Sequence, residues 1–80
     1  MRPEDILRFL RARPFEAFRI YMSDGSTFDI MHPELAIVER STVLVGLPGP
    51  QGPDGPVERT VFCALMYITR AEKVNGAVAR

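Results

Sequence analysis

Apolar positions change period along this chain, from helical to alternating. Ile6, Leu7, Phe9 and Leu10 recur at helical spacing, with Arg8 and Arg11 three apart on the other side. Pro3 suits the first position of such a helix, and Glu4 and Asp5 sit at the end where the helix dipole favours acids. Arg11 and Arg13 sit at the end that favours bases, and Pro14 stops the helix because it has no donor and disfavours helix in the residue before it. The first element is therefore predicted to be a helix over about residues 3–13. So short a helix is unstable alone and needs a surface to lie on.

From Phe15 the pattern alternates, which predicts strands. Phe18, Ile20 and Met22 share one face, Arg19 and Tyr21 the other. Ser23-Asp24-Gly25-Ser26 supplies a hairpin turn, after which Phe28 and Ile30 alternate with Thr27 and Asp29. His32-Pro33-Glu34 breaks the second strand. Leu35 to Val38 and Thr42 to Leu47 are short apolar runs that read either as a hairpin or as one bent strand. The run from Val57 to about Ala71 is apolar on both faces, which predicts a strand bent at a corner, changing face near Cys63 to Leu65. Phe18, Ile20, Phe28, Ile30, Val43, Val45, Phe62 and Ile68 are expected inside.

Residues 46–56 hold four glycines and four prolines in eleven positions, with Gly46, Gly49, Gly52 and Gly55 at the collagen period. Fewer than four triplets cannot sustain a triple helix, so the segment is expected to be an exposed, extended, mobile loop between strands. The tail over 73–80 shows little periodicity and is expected to fray. With 80 residues there is room for one domain, residues 1–80, and a core so small that self-association is expected.

Ten Lys and Arg balance ten Asp and Glu, which argues against a large nonspecific nucleic-acid footprint. Nine of the ten cations are Arg, and residues 2–19 carry five Arg against Glu4, Asp5 and Glu16. One cysteine excludes an internal disulfide, and one Cys with one His builds no metal cluster, so no cofactor or metal is expected. No apolar run reaches a bilayer span and the first residues lack a secretory signal, so a cytoplasmic protein with no membrane partner is expected.

A helix followed by short antiparallel strands predicts a mainly β fold: a five-stranded SH3/Sm-like barrel over about residues 15–72 behind an N-terminal helix. Arg13-Pro14-Phe15-Glu16-Ala17-Phe18-Arg19-Ile20, Asp24-Gly25, His32-Pro33-Glu34 and the run from Leu65 through Ile68-Thr69-Arg70 to Glu72 resemble a family of small bacterial proteins with no assigned activity. A second resemblance is to the Sm and LSm proteins, through Asp24-Gly25 and the Gly/Pro segment in the place of their variable loop. That resemblance implies ring assembly through strand edges and binding of single-stranded RNA. The Asp and Asn that follow the second strand in RNA-binding Sm proteins have no counterpart around His32 to Val38. Leu65-Met66-Tyr67 stands where their later loop signature would be.

Catalytic candidates are sparse. His32 precedes a proline, where a strand-end role is usual, and Cys63 lies in Val61-Phe62-Cys63-Ala64-Leu65, where a thiol acts as a small hydrophobe. Asp24 is required by its turn and Asp29 is expected to be solvated, and the proline-laden loop cannot cradle a phosphate. A non-enzymatic homo-oligomer with no small-molecule substrate is the expectation that remains. The alternative is an RNA binder using Arg8, Arg11, Arg19 and Tyr21, an exposed aromatic beside bases being how single strands are stacked.

Overall fold

A computed structural model describes residues 1–74. The helix α1 spans Pro3–Arg11 and is followed by six strands: β1 Phe18–Met22, β2 Thr27–Ile30, β3 Ala36–Val38, β4 Thr42–Pro48, β5 Val57–Ala64 and β6 Ile68–Lys73. They form two three-stranded antiparallel sheets, ordered β2-β1-β6 and β3-β4-β5. The mainly β class with an N-terminal helix holds, but there are six strands rather than five, in two sheets rather than one closed barrel. Two 3₁₀ turns interrupt the strands, and the second accounts for the extra one. Pro33–Leu35 separates β2 from β3, and Leu65–Tyr67 cuts the long last run into β5 and β6.

The helix stops two residues earlier than the proline alone predicts. Ala12 is already extended, and the Arg13 guanidinium donates to the carbonyls of Leu10 at 3.3 Å and Ala12 at 2.8 Å, satisfying acceptors that the helix end leaves open. At the other end the Asp5 carboxylate accepts the Arg2 backbone N–H at 3.0 Å. Ile6 and Leu10 are the buried side chains of the helix. They join Phe18, Ile20, Ile30, Ala36, Val43, Val45, Cys63, Leu65 and Ile68 in one core. Phe9 stacks on Phe18 with ring centroids 4.6 Å apart, which fixes the helix against β1.

Six of the eight expected interior residues are buried, and Phe28 is half-buried. Phe62 is the exception, at 69% exposed. In β5 the inward side chains beside Phe62 are Val61 and Cys63, so Phe62 points out; the change of face comes only in the following turn. A 3₁₀ turn has three residues per turn, so Leu65 and Ile68 both face the core while Met66 and Tyr67 are exposed. The bend lies where the sequence pattern put it, but its geometry leaves Phe62 outside.

The Gly/Pro segment also departs from expectation. Gly46 to Pro48 belong to β4, and residues 49–56 fold into successive turns instead of an extended arm. Gly49 N–H donates to Pro56 O at 3.2 Å, Gly52 N–H to Gly49 O at 3.0 Å and Gly55 N–H to Gly52 O at 3.0 Å. Gly52, at φ +86°, supplies a backbone conformation that other residues rarely adopt. Lys73 of the expected frayed tail is the last residue of β6, with Val74 N–H bonded to Ala17 O at 3.1 Å. The rest of that tail, residues 75–80, lies outside the described residues.

Candidate functional site

The four residues expected to hold RNA fall on two elements. Arg8 and Arg11 are exposed on α1, and Arg19 and Tyr21 lie on the outer face of β1. Cross-strand register decides what the second pair can do. Arg19 stands opposite Asp29 on β2, and its Nε and Nη2 donate to the two carboxylate oxygens at 2.6 and 3.1 Å. Asp29 is thus the acceptor of a bidentate pair while its side chain stays 40% exposed to solvent. The same contact pushes the Arg19 guanidinium further up from its ordinary value, first through the hydrogen bond to Asp29 and then through that to Tyr21.

Tyr21 is likewise engaged. The Arg70 guanidinium lies 4.0 Å from its ring centroid, and its hydroxyl donates to Glu72 Oε1 at 3.1 Å. Arg70 itself faces Glu72, Nε to Oε2, at 3.5 Å. The outer face of the β2-β1-β6 sheet is therefore a closed set of charge pairs with one ring face covered by a cation. A base could stack there only by displacing Arg70. Arg8, by contrast, borders a small hollow with Phe9, Ala12, Glu16 and Lys73, where Lys73 Nζ meets Glu16 Oε1 at 2.9 Å.

The catalytic candidates are placed in unrelated surroundings. Cys63 is 1% exposed opposite Val43 on the neighbouring strand, and burial pushes its thiol up from the ordinary value, so thiolate is suppressed. His32 Nε2 lies 3.0 Å from Asp54 Oδ1, at the surface, where it ties the turned loop to the end of β2. Asp24 accepts the Ser26 hydroxyl at 2.6 Å and the Ser26 N–H at 2.9 Å, which holds its carboxyl below the usual range. Among the described residues no group of three or more His, Cys, Asp or Glu is placed to hold a metal ion, and no helix is long and apolar enough to cross a membrane.

The second sheet carries the features that the sequence pattern missed. Ile37, Leu44 and Phe62 stand opposite one another on β3, β4 and β5, forming an apolar row across the outer face. Ile37 is 60% exposed and Phe62 69%. Beside the row lies a hollow of about 250 Å³ lined by Leu35, Ile37, Leu44, Gly46 and Val57, with Thr60 and the exposed Glu34 at its rim. Gly46 keeps it open, since a Cβ there would come 3.1 Å from Val57 Cγ2. The signal in the sequence was the both-sided apolar run from Val57 to about Ala71, read there as a strand bent at a corner.

Strand edges are the other unassigned feature. Among the described residues β5 is bonded only to β4, and β6 only to β1, so each ends its sheet with an unpaired side. Val74 N–H points at β1, so by antiparallel alternation the N–H groups of Lys73 and Ala71 point outward. Comparison with known proteins adds nothing to this geometry: no family model, no curated protein and no solved structure matches the chain.

Proposed function

We propose that this chain is a non-enzymatic interaction module of the cytoplasm that assembles with copies of itself through strand edges, in the manner of an SH3/Sm-like barrel closing into a ring. The observation that carries the reading is the unpaired edges of β5 and β6, two of the four strands that end the two sheets. β5 and β6 are consecutive strands joined by the Leu65–Tyr67 turn, each last in its sheet. Such edges are templates for another chain, and pairing β5 of one copy with β6 of the next is a head-to-tail contact that closes when the rotation allows. The order of helix, Asp-Gly hairpin, bent strands and a 3₁₀ turn before the last strand supports kinship with Sm proteins and with the small bacterial family that the chain's motifs resemble. Burial of Cys63, which pushes its thiol up and suppresses the thiolate, supports a role without catalysis.

Light scattering on a size-exclusion column, at a low and a high concentration, tests this. A discrete mass of about five to seven subunits is expected, the closed ring of a head-to-tail contact. Ala71→Pro removes an outward N–H without touching a bond to β1 and should lower that mass. A monomer at both concentrations overturns the reading.

Single-stranded RNA is the second reading, and the exposure of Arg8 and Arg11 on one helix is what favours it. Arg19 and Tyr21 would have to give up Asp29, Arg70 and Glu72 to join them. If only the helix pair meets phosphates, the salt dependence of oligo-U binding should be shallow, a slope of roughly −1.4 for two contacts. No binding at low salt removes this reading and leaves the first intact.

A further inference from the structure

We infer that the Asp54-Gly55 step of the Gly/Pro loop is the chain's main site of aspartate isomerisation, a spontaneous modification that builds the side chain into the backbone. The Gly55 nitrogen attacks Asp54 Cγ and gives up its proton while the carboxyl gives up hydroxide, so that one water leaves and a succinimide ring closes. Water then reopens the ring at either carbonyl. Attack at one carbonyl restores aspartate; attack at the other leaves Cβ and Cγ in the backbone and the carboxylate directly on Cα, as isoaspartate. The two steps consume and release only water. They require an uncrowded nitrogen, a neutral carboxyl and a backbone free to bring the two together.

Four aspartates are present, and two are set aside by the residue that follows. Asp5 and Asp29 precede Ile6 and Ile30, whose branched Cβ crowds the nitrogen. Asp24 and Asp54 both precede glycine, which has no Cβ, so the fold decides between them. Asp24 is fastened: its Oδ1 accepts the Ser26 hydroxyl at 2.6 Å and the Ser26 N–H at 2.9 Å, which keeps the carboxyl ionised and fixed in place. Its backbone is anchored too, by Met22 N–H to Ser26 O at 2.8 Å, Gly25 N–H to Met22 O at 3.0 Å and Ser23 N–H to Tyr67 O at 2.8 Å. Asp54 has one partner among the described residues, His32 Nε2 at 3.0 Å, and its side chain is 92% exposed. The Gly55 N–H is held by Gly52 O at 3.0 Å, and none of residues 49–56 is buried. A segment with no buried contacts opens locally at small cost, and opening is what lets the Gly55 nitrogen reach Cγ. Once formed, isoaspartate carries its carboxylate one carbon closer to the backbone, which withdraws it from His32 and unties the loop from the end of β2.

Trypsin separates the candidates: cleavage after Arg19, Arg40, Arg59 and Lys73 puts Asp24 in peptide 20–40, Asp54 in 41–59 and the Asn75-Gly76 step in 74–80. The folded protein is aged for weeks at mildly acidic pH and body temperature, digested, and resolved by reversed-phase chromatography with mass spectrometry. An isoaspartyl peptide shows unchanged mass, shifted elution and methyl transfer from an isoaspartyl methyltransferase; a succinimide is lighter by one water; fragmentation assigns the position. In the folded protein Asp54 is expected to convert several times faster than Asp24. In the chain unfolded by guanidinium the two rates should draw together, since both steps are Asp-Gly. A folded-state ratio no larger than that of the unfolded chain, or faster conversion at Asp24, overturns the inference.

Discussion

At the scale of single residues, partners decide what each group can do. Arg19 has the exposure and the neighbouring aromatic that nucleic-acid binding asks for, yet a direct cross-strand carboxylate claims its fork at 2.6 and 3.1 Å. Asp24 shows the same rule in a turn. Its carboxyl is held below the usual range by Ser26, so the folded state prefers it ionised, and the stability it contributes is present above the ordinary aspartate pKa. That contribution is lost as pH falls through the folded value. In urea unfolding, Asp24→Ala should therefore be less stable than the wild type near neutrality, and the two midpoints should converge in acid. A gap that persists in acid would show that the acceptor, and not its charge, matters.

At the scale of elements, two 3₁₀ turns shape the molecule more than any strand does. Each interrupts a two-residue period with a three-residue one, which is why Ile68 faces the core after Leu65 without the alternation that β5 obeys. The helix packs against β3 and, through Phe9, against β1. Phe18 is fully buried, stacked on Phe9 at 4.6 Å and met edge-on by Phe15 at 6.2 Å. Phe18→Ala should cost about 3 to 5 kcal/mol, much of what a domain of this size has. Circular dichroism during denaturation is expected to show the variant largely unfolded under conditions where the wild type is folded. Phe62→Ala, on the outer face, should leave the fold of the subunit nearly as stable.

At the scale of the whole molecule, eleven buried residues make a core with no buried polar or charged side chain among the described residues. A core this small is marginal by itself, and association is the available source of further stability. The midpoint of thermal unfolding should accordingly rise with protein concentration, and calorimetry over a wide concentration range reads this directly. A midpoint independent of concentration would mean that the subunit is stable alone.

Local chemistry was enough to specify the helix, the Asp24-Gly25 hairpin, the break at Pro33 and most of the core, because caps, turns and two-fold alternation act over a few residues. The bend of the last strand was legible too, as a run apolar on both sides. What that run did not reveal was which side would be covered. An apolar strand reads the same whether its second face meets another sheet or water, so Phe62 was misplaced and the apolar row it forms with Leu44 and Ile37 went unseen. Pairing across strands likewise determined that Arg19 and Tyr21 are engaged, through partners ten and fifty-one residues away. Register and the positions of strand edges are relations between distant segments, and only the tertiary structure brings those segments together.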